Sequence, residues 1–172
     1  MQALGYRSGN AVIPADAAIK DLIFSQLSEA SRCMWDVGAG SGQIAIEWQK
    51  LHPACRVFAI ENDAACVQAI GENATAHGTP GISIVHRDVT AGLDDLAQPD
   101  AIYHGCVSWT DVNLCPVLWN HLAPGGTIVA VVGQERGRRY IHEAQSLLGG
   151  QIGWAGEGAN RFQFWAASKP LR

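Results

Sequence analysis

The sequence predicts an α/β fold: a doubly wound, mostly parallel sheet of seven strands with an antiparallel hairpin at its C-terminal edge. Three observations predict it. Apolar, strand-like runs alternate with helical stretches at least five times along the 172 residues. The first run, Cys33-Met34-Trp35-Asp36-Val37, leads directly into a glycine turn and a helix. The last two runs, 151–155 and 161–167, follow each other with no helix between them. Crossover helices make neighbouring strands parallel, whereas a short connection makes them antiparallel.

Taken in order, residues 1–14 are polar and contain glycine, ending in Val12-Ile13-Pro14. Proline suits a first helical turn, where its missing N–H has no partner to lose. A helix is therefore expected from Ala15 to about Glu29, with Ala18, Leu22 and Leu27 among its apolar positions. Strand 33–37 follows, then a helix from 42 to about 51 that Pro53 stops. Strand 56–61 precedes a helix over 63–76, ended by His77-Gly78. Thr79-Pro80-Gly81 turns the chain into a third strand at 82–86. Ala91 to Leu96 reads as a short helix, and Pro99-Asp100 opens a fourth strand at 101–104. A helix is expected from Asp111 to about Leu122, although Pro116 obscures its start. Ala123-Pro124-Gly125-Gly126 is a strong turn, and the mostly β-branched run from Thr127 to Val132 reads as a buried strand. A helix from Gln134 to Leu148, stopped by Gly149-Gly150, precedes the final strand pair.

The length fits one domain, 1–172. It divides into an N-terminal segment and helix (1–29), a ligand-binding core (30–132) and a C-terminal helix with edge strands (133–172). Hydrophobic residues make up 48% and charged residues 16%, which is enough apolar surface for a packed core. A net charge of −4 gives no basis for a nucleic-acid partner. The cysteines, at 33, 55, 66, 106 and 115, form no C-x-x-C pair, so reduced thiols and a cytoplasmic location are expected. No apolar run approaches the roughly 18 residues of a membrane span, no signal-peptide pattern opens the chain, and no His/Cys spacing suggests a metal.

The chemistry is expected at Asp36-Val37-Gly38-Ala39-Gly40-Ser41-Gly42. Glycines at alternate positions let the backbone turn sharply and let a ligand approach closely. The N–H groups of the following helical turn then point at a polar ligand. Glu61 ends the second strand 25 residues after Asp36, near the spacing of about 20 for a ribose-binding acid. A carboxylate there can accept from both ribose hydroxyls. Asn62 and Asp63 are better placed than Glu61 to cap the next helix. Asp88, after the third strand, can accept from an adenine amine.

This ordered set resembles the S-adenosylmethionine-dependent methyltransferases, from motif I through the Pro-Gly-Gly before the fifth strand to the terminal strand pair. The resemblance covers residues 30–167 and implies a Rossmann-like class I methyltransferase fold. It implies S-adenosyl-L-methionine as cofactor, with S-adenosyl-L-homocysteine as product. Asp36, Gly38, Ala39, Gly40, Ser41, Gly42, Glu61, Asn62, Asp88 and Val89 are the cofactor-binding candidates.

A narrower likeness rests on Trp35 to Gly42 with Ile46-Glu47-Trp48, on Ala59-Ile60-Glu61 leading to Asn73 and Gly78, and on Asn160 to Pro170. These stretches are similar to the C-terminal domain of precorrin-6Y C5,15-methyltransferase and its stand-alone decarboxylating relatives in cobalamin biosynthesis. That family methylates carbon 15 of a late precorrin and removes carbon dioxide from an acetate side chain. The likeness implies a tetrapyrrole substrate, a homo-oligomer such as a tetramer, and a separate partner that methylates carbon 5. The chain departs from the family pattern at Pro14, where a threonine is usual, and at His104-Gly105-Cys106-Val107-Ser108-Trp109, where a glycine-rich run is usual. It also lacks an asparagine near the end of the fifth strand.

Methyl transfer to an electron-rich carbon needs orientation more than a base, so no catalytic triad is expected. His104 is a candidate to hydrogen-bond substrate or relay a proton, or else a histidine satisfied at a strand end. Trp109 is a candidate to stack on a macrocycle, or else a core or interface residue. Arg136, Arg138 and Arg139 are candidates to hold substrate carboxylates, or else a solvated basic helix end; Arg161 joins them from the third family stretch. The alternatives are a same-fold methyltransferase for another small molecule or a protein, and a non-catalytic cofactor-binding subunit.

Overall fold

A computed structural model describes residues 17–107, 110–156 and 161–171. The elements run α1 (Ala17–Gln26), β1 (Cys33–Val37), α2 (Gln43–Leu51), β2 (Arg56–Glu61), α3 (Ala64–Ala76) and β3 (Ser83–His86). They continue with a 3-10 turn (Val89–Ala91), β4 (Ala101–His104), α4 (Cys115–His121), β5 (Thr127–Val132), α5 (Glu135–Leu148), β6 (Gln151–Ala155) and β7 (Phe162–Ser168). The seven strands form one sheet in the order β3-β2-β1-β4-β5-β7-β6. The pairs among β1 to β5 are parallel, whereas β7 runs antiparallel to both β5 and β6. The expected architecture, hairpin edge included, is the observed one.

Alternating side chains of the sheet feed two cores. Trp35, Val37, Ile102, Ile128 and Trp165 pack on one face with Leu118 of α4 and Tyr140 and Ile141 of α5. Met34, Val57, Ala59, Val129 and Phe164 pack on the other with Ile23 of α1, Trp48 of α2 and Ile70 of α3. All of β1 is buried, as a central parallel strand covered on both faces must be. Asp100 fixes where β1 starts. Its carboxylate accepts from Arg32 N–H (2.9 Å) and Cys33 N–H (3.0 Å).

Three element boundaries differ from expectation. The described part of α1 spans Ala17–Gln26, so it ends before Glu29, while residues 15 and 16 lie outside the described residues. No helix forms over 92–96; a 3-10 turn at Val89–Ala91 comes before that stretch and is cut off by Gly92 at φ +93°. Helix α4 begins at Cys115 rather than Asp111, with Pro116 in its first turn. There Asn113 supplies a side-chain oxygen to the Cys115 N–H at 3.1 Å.

Chain order reverses between β1 and β4: the chain builds outward through β2 and β3, then crosses back to β4. The carboxyl end of β1 therefore lies at the switch point, where open α/β sheets leave a crevice.

Candidate functional site

The loop after β1 occupies that switch point. Gly38, Gly40 and Gly42 all have positive φ, at +74°, +56° and +78°, which side chains rarely tolerate. Crowding adds to the requirement at two of them. A Cβ on Gly38 would lie 2.3 Å from Cys106 Cβ, and one on Gly42 would lie 3.0 Å from an Ile70 methyl. The N–H groups of Gly38 and Ala39 donate to Ile60 O on β2, at 2.9 and 3.1 Å. Asn73 of α3, itself buried, donates its side-chain amide to Ser41 O at 2.8 Å. The loop is thus strapped to β2 and α3 from both sides.

Glu61, at the end of β2, reaches the same loop. One carboxylate oxygen accepts from Gly40 N–H at 2.8 Å, and the other accepts from Asn62 and Asp63 N–H at 2.8 and 3.0 Å. Asp63 caps α3 through the Cys66 N–H at 2.9 Å. Asp88, at the end of β3, caps the 3-10 turn by accepting from Thr90 N–H at 2.8 Å. The Thr90 hydroxyl, which donates to the same oxygen at 2.7 Å, and then the Thr90 N–H hold its carboxyl below the usual carboxylate range. Val89 is buried in the first core. Glycine loop, Glu61 with Asn62, and Asp88 with Val89 thus line up along the carboxyl ends of β1, β2 and β3, as the sequence order implies.

Asp36 is the unusual member. One oxygen accepts from Ala45 N–H of α2 at 2.9 Å, whereas Oδ1 is buried with no partner among the described residues. Burial pushes its carboxyl up to about 7; the Ala45 N–H opposes the rise and Glu61 adds to it. An orphaned buried carboxylate oxygen beneath a left-handed glycine loop fits a ligand with a cationic amino end and hydroxyls for Glu61. S-adenosyl-L-methionine is such a molecule.

His104 and Cys106 close the loop from the β4 side. His104 is fully buried, its Nε2 has no partner among the described residues, and its Nδ1 lies 3.7 Å from Cys106 Sγ. Burial lowers His104 to about 4 and raises the Cys106 thiol to about 12, so both are neutral at ordinary pH. Trp109 lies outside the described residues.

The arginines gather at the same edge of the sheet. Arg136, Arg138 and Arg139, in the first turns of α5, line a concavity of about 700 Å³ with His142, Trp154 and Gln163. Arg161 lies over the Trp154 ring at 4.4 Å, and Arg138 over the same ring at 5.5 Å. The structure therefore brings three of the predicted arginines to one concavity and places the fourth, Arg161, over the Trp154 ring that helps line it. Sequence reading missed Trp154, Gln163 and His142 there, and Asn73 as the strap of the glycine loop. Asn73 stood in a stretch already singled out, but nothing local marks its partner.

A family model described as a precorrin methyltransferase domain matches residues 16–163. The chain belongs to this precorrin methyltransferase family. A curated relative, precorrin-6Y C(5,15)-methyltransferase [decarboxylating] of Mycobacterium tuberculosis, is 34% identical over 143 residues, 80% of this chain. The chain spans only 36% of that relative's length. Cobalt-precorrin-6B C(15)-methyltransferase (decarboxylating) of Salmonella typhimurium is 31% identical over 114 residues, covering 65% of this chain and 58% of the relative. Among solved structures, precorrin-6y C5,15-methyltransferase from Geobacter metallireducens GS-15 superposes with a TM-score of 0.83 at 22% identity. That match covers 95% of this chain and 94% of the other, and it establishes the fold as the class I methyltransferase type. Among the described residues, no helix is long and apolar enough to cross a membrane, and no cluster of three or more His, Cys, Asp or Glu could hold a metal.

Proposed function

We propose that the chain transfers a methyl group from S-adenosyl-L-methionine to carbon 15 of a late precorrin in cobalamin biosynthesis, with loss of carbon dioxide from an acetate side chain of that substrate. One observation carries this reading. Inside a precorrin methyltransferase domain, a loop of three left-handed glycines donates from Gly40 to Glu61 and follows Asp36, whose Oδ1 is buried with no partner among the described residues. A homo-oligomer such as a tetramer, a cytoplasmic location and a separate partner for carbon 5 go with the reading and are proposals on the same footing.

S-adenosyl-L-methionine, when bound, supplies an electrophilic methyl on a sulfonium. The chain's own residues bind and orient. Glu61 would hold the ribose hydroxyls, Asp36 the amino end, the backbone of Gly38 to Gly42 the polar tail, and Asn62, Asp88 and Val89 the adenine side. That methyl would go to a substrate carbon that these residues hold in line with it. An electron-rich tetrapyrrole carbon needs no strong base for this, and the neutral His104 and Cys106 supply none. Holding the two reactants in line, away from water, is the main contribution of the protein.

Calorimetric titration tests the cofactor reading. S-adenosyl-L-homocysteine should bind and NAD should not. Glu61→Ala should weaken binding by about tenfold or more, as expected for losing a charged acceptor. Equal binding of S-adenosyl-L-homocysteine by the Glu61→Ala protein would overturn the assignment.

A further inference from the structure

The concavity on the α5 face of the β6–β7 hairpin has a chemistry of its own. Trp154 is 45% exposed, unusual for so large an apolar ring. Two guanidiniums, from Arg138 and Arg161, lie over it. Stacking of this kind fixes a guanidinium in place while leaving its in-plane N–H edge open to a planar anion. Gln163 lies beside them, 94% buried by its 6% exposure, with Oε1 unpartnered among the described residues. Arg138 Nε is likewise buried and unpartnered there. The other end of the Gln163 amide sits 3.3 Å from His142 Nε2. If that imidazole nitrogen carries its proton, the amide flips and turns its NH₂ toward the concavity. An anion favours that arrangement.

The carboxylates already present do not fill the role. Glu135 pairs with Arg138 at 3.7 Å, Asp111 with Arg136 at 2.8 Å and Glu143 with Arg139 at 3.7 Å. Their side chains are 90%, 93% and 49% exposed, so these pairs are weak and a ligand can displace them. Position also matters. Gln163 pairs with Val132 at the carboxyl end of β5, so the concavity opens at the same edge as the glycine loop. From β1 to β7 the sheet crosses three strand spacings, about 14 Å. A substrate that meets a methyl donor at β1 and this concavity at β7 must be broad and anionic at its rim.

Resting on the function proposed above, we propose that this concavity seats a peripheral carboxylate side chain of the tetrapyrrole. Arg138 and Arg161 are its charge partners, Gln163 its hydrogen-bond partner and Trp154 its apolar floor.

The test uses uroporphyrin, a tetrapyrrole with carboxylates on every ring, and its methyl ester as the uncharged control. Binding is read by tryptophan fluorescence and calorimetry, with S-adenosyl-L-homocysteine titrated in parallel. The wild-type chain should bind uroporphyrin and not the ester. The Arg138→Ala/Arg161→Ala protein should bind uroporphyrin about tenfold or more weakly, with S-adenosyl-L-homocysteine affinity unchanged. Gln163→Glu, which places a like charge against the ligand, should weaken it as well and serves as the second variant should the first misfold. Equal binding of acid and ester, or undiminished binding by both variants, would overturn the subsite while leaving the cofactor reading intact. Loss of S-adenosyl-L-homocysteine binding by the wild-type chain would overturn the cofactor reading and the subsite with it.

Discussion

Gly38 is held in place by two separate constraints, and single substitutions can separate them. Its φ of +74° disfavours any side chain, and the Cβ of Cys106 occupies the space that a new Cβ would need. Gly38→Ala should therefore cost about 1–3 kcal/mol, part from backbone strain and part from the clash. Cys106→Gly in the same protein removes the clash and leaves the strain. Denaturant unfolding of the two single variants and the double variant should show partial recovery, a coupling of about 0.5–2 kcal/mol. Fully additive effects would mean that the loop shifts away from Cys106 instead. Cys106 stands in the 104–109 stretch where the family likeness implies a glycine-rich run, and its side chain packs directly on the first glycine of the loop.

At the scale of elements, Lys169 shows how a residue outside every helix can finish one. Its ammonium donates to the carbonyls of Trp119, Asn120 and Leu122, at 3.0, 3.4 and 2.7 Å, at the C-terminus of α4. A cation there satisfies orphan carbonyls and opposes the helix dipole. Lys169→Met keeps most of the aliphatic stem and should cost about 1–2 kcal/mol. A melting temperature within a degree of wild type would exclude the cap. Strands were legible because each is a short apolar run between turn residues, and β1, β2, β4 and β5 fall where the pattern puts them. Helix α4 starts four residues later than the pattern implies because the stretch before Pro116 is held by a turn, in which the Asn113 side chain accepts from Cys115 N–H, and not by helical bonds. The glycine loop and Glu61 were legible because each sits at a strand end in a short motif. Trp154, Gln163 and His142 were not, because only the antiparallel register of β6 on β7 and the packing of α5 bring them together.

For the whole molecule, two buried groups on the central strands set opposing pH dependences. Asp36, raised to about 7, keeps its proton in the fold at a pH where the unfolded chain, near 3.8, has lost it. Its contribution to stability is complete below about pH 4 and is lost as pH rises toward 7. His104, lowered to about 4, stays neutral in the fold while the unfolded chain, near 6.5, takes up a proton. Its contribution is complete above about 6.5 and is lost as pH falls toward 4. Both effects are on the order of a few kcal/mol, so over this window they largely cancel in the native protein. Single substitutions should expose each one. Asp36→Asn removes the first, and its melting temperature relative to wild type should rise steadily from pH 4 to pH 7.5. His104→Leu removes the second, and its relative melting temperature should run the opposite way, highest near pH 4. Asp63, Asp88 and Asp95, whose carboxyls are held below the usual range, lose their contribution only at lower pH and are common to every variant. Differential scanning calorimetry across the window reads both slopes directly. Two flat difference curves would mean that these groups titrate as they do in the unfolded chain. Opposite slopes would show that the orphaned oxygen under the glycine loop carries a standing cost, one that a cationic ligand end at Asp36 would relieve.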